Sequence, residues 1–184
     1  MISLGFDASS TVVGFAFTED KKILDAGFID ISKYEGNRTK AWAVIDVLSK
    51  HPLIGKIGQI SLEGSLAGFS GPSSRTVVIM LARWNAVFEY VLQDYYKLPV
   101  NLVNVNTARK QIFGKAKIKG MKPKPYVKMM LDKMYDMTPW LVYNKIKNVD
   151  KRCEDTYDAV VISLFIPNDK TGSDRNSKET QGTV

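Results

Sequence analysis

Ile2-Ser3-Leu4-Gly5-Phe6-Asp7-Ala8-Ser9-Ser10-Thr11-Val12-Val13-Gly14-Phe15-Ala16-Phe17-Thr18 opens the chain and decides its architecture. Residues 2–7 and 12–18 are apolar-rich runs of strand length. The turn between them, residues 8–11, is too short for a helical crossover, so the two strands must pair antiparallel. Ile23, Leu24, Phe28, Ile29 and Ile31 extend the meander with a third strand around 22–31. Asp7 closes the first run at the point where the chain turns back.

The pattern then changes period. From Asn37 to Lys50, Ala41, Trp42, Val44, Ile45 and Leu48 recur at helical spacing, and Pro52 and Gly55 end that helix. Residues 57–63 form a strand that has to return beside the first, and Glu63 closes it. A Gly- and Ser-rich loop over 64–74 carries Phe69. The strongest helix follows at about 75–95, with Val77, Leu81, Trp84, Phe88, Val91 and Tyr95 on one stripe. Val78, Met80, Val87 and Leu92 widen that stripe beyond what one sheet covers, which signals either deep burial or a second subunit.

Further strands and helices complete the series. Leu98 to Val105 reads as a strand, Thr107 to Phe113 as a short helix capped by Asn106 or Thr107, and Val127, Met130, Leu131 and Met134 mark another helix. The last helix is expected over 155–166, where Pro167 stops it. Residues 1–167 then form one domain, and 168–184, without apolar periodicity, are expected to be a disordered tail. The class is α/β. Three antiparallel strands followed by parallel ones make a mixed five-stranded sheet flanked by helices, which is the order of the ribonuclease H-like fold.

A length of 184 residues with 45% apolar content suits a single core. The net charge of +7 favours a polyanionic partner but implies no catalysis by itself. One cysteine, Cys153, excludes an intramolecular disulfide and a cysteine-based metal site. One histidine, His51, excludes a multi-histidine zinc site, and its place at a helix end suggests a surface cap. No apolar run approaches the roughly 20 residues of a membrane span. With a strand starting at Met1, no leader peptide is expected, and the cytoplasm of a bacterial cell or phage-infected host is the expected compartment.

Four acids stand at the ends of apolar segments: Asp7, Glu63, Asp155 and Asp158. Strand ends and helix starts gather along one edge of an α/β sheet, so these residues can meet despite their separation. Each has a plain structural reading. Asp7 can bond the amides of its turn, Glu63 can be a solvated strand end, and Asp155 can be an N-cap with Asp158 near the positive helix end. Together they read differently. Asp155 and Asp158 share one helix face, and clustered carboxylates raise one another's pKa unless a cation neutralises them. Hard divalent cations take such oxygen ligands and complete their shell with water and substrate phosphate.

The sequence resembles the RuvC-type Holliday junction resolvases, members of the ribonuclease H-like nucleases. The resemblance rests on Leu4-Gly5-Phe6-Asp7, Ile60-Ser61-Leu62-Glu63, Leu81-Ala82-Arg83, Arg109-Lys110-Gln111 with Gly114, Lys124-Pro125-Tyr126-Val127, and Asp155-Thr156-Tyr157-Asp158-Ala159. It implies that Asp7, Glu63, Asp155 and Asp158 are catalytic and hold two Mg²⁺ ions, with Mn²⁺ able to substitute. The activity implied is resolution of four-way junctions and other branched DNA by paired symmetric nicks. Lys110 and Lys124 match family lysines near the DNA backbone. The loop after Glu63 departs from the bacterial pattern. Shape-selective cutting by a phage-borne relative is therefore the closer match, with Phe69 either a base wedge or a loop anchor.

Lys115, Lys117, Lys119, Lys122 and Lys124, preceded by Arg109 and Lys110, form a dense basic strip among glycines and prolines. Such a strip contacts phosphates and releases counterions, unless it is merely a solvated loop. A four-way junction presents two equivalent strands, so symmetric cutting calls for a homodimer. The over-wide stripe on the long helix, with Val77, Met80, Trp84 and Phe88, is the expected interface, as in the family. Two rival functions share the fold: a ribonuclease H or exonuclease, and a junction-binding protein that does not cut.

Overall fold

The computed structural model describes residues 1–64 and 75–167. Phe69 and its loop, and the tail 168–184, lie outside the described residues. The sheet order is β3-β2-β1-β4-β5, from strands β1 (Ile2–Ala8), β2 (Val12–Glu19), β3 (Lys22–Asp30), β4 (Ile57–Glu63) and β5 (Val100–Val103). β1 pairs antiparallel with β2 and parallel with β4, while β2–β3 is antiparallel and β4–β5 parallel. This is the mixed sheet that the spacing of the turns requires.

Among the described residues five α-helices flank the sheet: α1 (Asn37–Leu48), α2 (Arg75–Tyr96), α3 (Val105–Phe113), α4 (Pro123–Met134) and α5 (Cys153–Leu164). Alternation along the strands sorts two cores. Leu4, Phe6, Phe17, Ile60 and Leu62 pack with α1 and α2 around Trp84 and Phe88. Ala16, Ala26 and Val103 pack with α3, α4 and the apolar body of α5. Among the described residues no helix is long and apolar enough to cross a membrane.

Several boundaries differ from the sequence expectation. β5 stops at Val103 because Asn104 leaves the ladder to cap α3, its side chain accepting from the Asn106 and Thr107 amides. The cap is thus Asn104 rather than Asn106 or Thr107. α4 begins at Pro123, so the basic loop is shorter, and Pro in the first turn costs no hydrogen bond. α5 begins at Cys153, which places Asp155 inside the first turn and not at the cap. His51 is no surface cap. Its ring stacks on Phe17 at 4.3 Å, Nε2 lies 2.7 Å from Asp25 Oδ2, and Nδ1 accepts from the Leu53 amide.

The wide stripe of α2 divides in two. Trp84 and Phe88 stack at 5.1 Å between ring centroids, Phe88 meets Phe6 edge-on, and all three are fully buried in the chain's own core. The expectation that Trp84 and Phe88 face a partner is therefore corrected: deep burial accounts for them. Val77 and Met80, one to two turns earlier, are exposed together with Ile79.

Candidate active site

Asp7 and Glu63 occupy neighbouring parallel strands, one step beyond the Phe6–Leu62 pair. Because Phe6 and Leu62 point into the α1–α2 core, Asp7 and Glu63 point to the other face, where α5 lies. That helix crosses β1 and β2 over two glycines. A Cβ on Gly5 would overlap the Ser163 amide and the Ala159 carbonyl, and one on Gly14 would overlap the Asp155 carbonyl. Thr18 Oγ1 donates to the Ser163 carbonyl at 3.0 Å and fixes the far end. The close seat of α5 is what carries Asp155 and Asp158 down to the strand ends.

The four acids interact electrostatically. Burial pushes the Asp7 carboxyl well above its ordinary pKa, and the negative charges of Glu63, Asp158 and Asp155 push it further. The hydrogen bond between Asp7 and Glu63 raises the Asp7 pKa further, and burial raises that of Glu63 against the same hydrogen bond. Burial also raises Asp158, opposed by the Arg109 guanidinium. Asp7 and Asp158 are only 8% and 5% exposed, so water cannot screen this repulsion.

Two cations balance the cluster. Arg109 Nη2 lies 2.7 Å from Asp158 Oδ1, and both side chains are buried. Lys124 Nζ lies 2.7 Å from Asp155 Oδ1 and 3.6 Å from Glu154 Oε2. Burial works against the Lys124 charge, but its hydrogen bond to Asp155 and the charges of Asp155, Asp7 and Asp158 outweigh it and raise its pKa. Among the described residues no group of three or more His, Cys, Asp or Glu side chains stands preassembled to hold a metal ion. Arg109 and Lys124 supply positive charge to Asp158 and Asp155. The donor set nevertheless suits a hard divalent cation: carboxylate oxygens only, with crowding that a cation relieves.

The basic residues separate by position. Lys110, Lys115, Lys117, Lys119 and Lys122 are exposed on α3 and the loop after it. The Tyr126 hydroxyl donates to the Lys115 carbonyl at 2.9 Å and holds that loop against α4. Arg109 differs from them, and its assignment to DNA is corrected. It is 6% exposed and faces inward beneath Asp158, which leaves no surface for a phosphate. Arg109 follows Ala108 on the inward side of α3, where the contact with α5 buries it. Arg152 was also missed. It bridges Asp150 and Asp30 at 2.7 Å each and ties the approach to α5 to the end of β3.

Neither a family model nor a curated protein matches the chain. Solved structures do. RuvC of Thermus thermophilus is similar at 15% identity, over 89% of this chain and 92% of that one, with a TM-score of 0.56. The fold is that of RuvC. T. thermophilus RuvC in complex with a Holliday junction substrate superposes at 12% identity, over 88% of this chain and 91% of that one, with a TM-score of 0.52. Coverage of nearly the whole of both chains means that the RuvC fold spans the sheet and the helices on both faces.

Proposed function

We propose that the chain is a divalent-metal-dependent endonuclease that resolves four-way junctions and other branched DNA by paired nicks. The observation that carries the reading is the convergence of Asp7, Glu63, Asp155 and Asp158 at one sheet edge, beside an exposed lysine strip. Supporting it, RuvC of T. thermophilus has the same fold and is known in complex with a Holliday junction. The excess of positive charge suits a phosphodiester backbone.

In this reading Asp7, Glu63, Asp155 and Asp158 would hold Mg²⁺, two ions per site, with Mn²⁺ able to substitute. The metal, when bound, lowers the pKa of an attacking water and stabilises the leaving oxygen. The chain's own groups do the rest. Asp7 and Glu63 would serve as ligands in their ionised form. Arg109 stays under Asp158 and fixes that carboxylate's direction. Lys124 leaves Asp155 and turns to the scissile phosphate. Lys110, Lys115, Lys117, Lys119 and Lys122 hold the adjoining backbone without reading its sequence.

Two equivalent strands need two sites, so the active species is a homodimer. Its interface is placed on the exposed start of α2, at Val77, Ile79 and Met80. The test is a substrate panel in Mg²⁺: an immobile four-way junction, a linear duplex and an RNA–DNA hybrid. Paired nicks confined to the junction are expected. Cutting of the hybrid alone would make the protein a ribonuclease H. Junction binding without cutting in Mg²⁺ or Mn²⁺ would sink the enzyme.

A further inference from the structure

Between α4 and α5 the chain builds a small β-hairpin that no periodicity announces. Tyr143 and Val149 form an antiparallel bridge, and the Asp150 amide donates to the Val142 carbonyl at 2.7 Å. Its tip is organised by Asn144. The Asn144 side chain accepts from the Ile146 and Asn148 amides at 3.0 Å each, and its own amide donates to the Asn148 carbonyl at 2.8 Å. Lys147 completes the turn in the left-handed region, φ 61°, with its amide donating to the Asn144 carbonyl. The tip is thus a preformed shape.

What the hairpin presents is unusual. Ile146 is 75% exposed, more than any other large apolar side chain among the described residues, and Val142, Tyr143 and Val149 are exposed beneath it. Lys145 and Lys147 flank Ile146 directly, and Lys151 follows at the base. The one acid of the segment, Asp150, is already held by Arg152, whose backbone amide, Nε and Nη2 lie at 2.7 to 3.0 Å from its carboxylate. An apolar tip between two exposed cations has the chemistry of a wedge that enters a base stack while its neighbours hold phosphates.

The base of the hairpin fixes where it stands. The Val142 amide donates to the buried Cys153 sulfur, and Arg152 reaches Asp30 and covers the Phe28 ring. Asp30 pairs with Val12 at the same end of the sheet at which Asp7 pairs with Gly14. Two strand spacings, about 10 Å, separate β3 from β1. The hairpin therefore flanks the acid edge from the β3 side.

We propose that the hairpin over residues 141–150 is a second DNA-binding element, with Ile146 inserting at unpaired or unstacked bases beside the branch and Lys145 and Lys147 on the adjoining phosphates. This rests on the reading of the site as a branched-DNA nuclease. At roughly 3.4 Å per base pair, that offset corresponds to about three nucleotides from the scissile phosphate.

The test uses the full chain in EDTA, so that cleavage does not intervene. Binding to a four-way junction and to linear duplex is measured for the wild type, Ile146→Ser, and the double variant Lys145→Glu with Lys147→Glu. A junction with 2-aminopurine at each of the first six positions from the branch reports unstacking. The expected result is roughly tenfold weaker junction binding by Ile146→Ser, loss of the fluorescence rise, and duplex binding nearly unchanged. The double variant should weaken both and lower the salt slope by about 2. Replacing residues 144–148 by Asn-Gly, which preserves a tight turn, should reproduce the loss. Normal junction binding and unstacking by these variants would overturn the inference and leave the nuclease reading standing. A change in sedimentation with Ile146→Ser would also overturn it, making the hairpin a contact between copies. A wild type with no preference for branched DNA would remove both.

Discussion

The two helical layers of the molecule solve opposite problems on one sheet. On the α1–α2 side, large side chains fill the space: Trp84, Phe88, Phe6, Phe17 and Leu92 are fully buried among apolar neighbours. On the α5 side the contact is close and small, with Gly5, Gly14 and Ala16 beneath the helix and charged groups at its start. The first layer derives stability from apolar area. The second uses that stability to hold Asp7 and Asp158 out of water, where burial raises the proton affinity of both and the Asp158 charge raises that of Asp7 further. Packing and chemistry are separated by the pleat, because alternate residues of the same strands serve each.

The largest effect that can break this contrast is Trp84→Ala. It should cost roughly 3–5 kcal/mol of unfolding free energy, measured by denaturant titration, and leave DNA affinity of the folded fraction unchanged. A loss of affinity without a loss of stability would mean that Trp84 belongs to the site after all. Arg109→Ala tests the other layer. Opening its buried pair with Asp158 should cost about 3 kcal/mol, the low end for such pairs because Lys124 also faces that carboxylate. Unlike Trp84→Ala, it should also weaken divalent-cation binding, read by calorimetry.

Asp7→Asn should act in the opposite direction and raise stability by about 1–2 kcal/mol in metal-free protein at neutral pH. The folded pKa of Asp7 lies above the ordinary 3.8, chiefly through burial. Its favourable contribution is therefore complete below that value and lost as pH rises through the folded pKa. The advantage of the variant should vanish in acid and grow toward neutrality, and added Mg²⁺ should reverse it by stabilising the wild type alone. Smallest of all is Met80→Asp on the exposed start of α2. Stability should change by less than about 0.5 kcal/mol, yet sedimentation should show a dimer for the wild type and monomers for the variant. An unchanged dimer would move the interface elsewhere.

Much of this contrast was legible in the sequence, and what was not has physical reasons. The alternation in residues 2–18 sets both strands and the turn, and apolar run ends locate Asp7 and Glu63. Helical spacing, however, does not say what covers a stripe. Trp84 and Phe88 have the same period as Met80, and only the sheet decides that two are core and one is surface. Arg109 and Lys110 are adjacent bases in a basic stretch. Burial of the first under Asp158 depends on how α3 meets α5, a contact some 50 residues away in sequence. Asp155 reads as a cap because the helix start is set by Asp150 and Arg152, whose side chains order the turn before it. The hairpin over 141–150 has no period to read, since its order comes from the Asn144 side chain.

The most direct test of the account is single-turnover cleavage of a four-way junction by the wild type and Asp7→Asn, each in Mg²⁺ and in EDTA. The account predicts paired nicks in opposing arms by the wild type in Mg²⁺ only, with junction binding kept and cutting lost in Asp7→Asn. Cutting that persists in EDTA, or in Asp7→Asn with Mg²⁺, would contradict it.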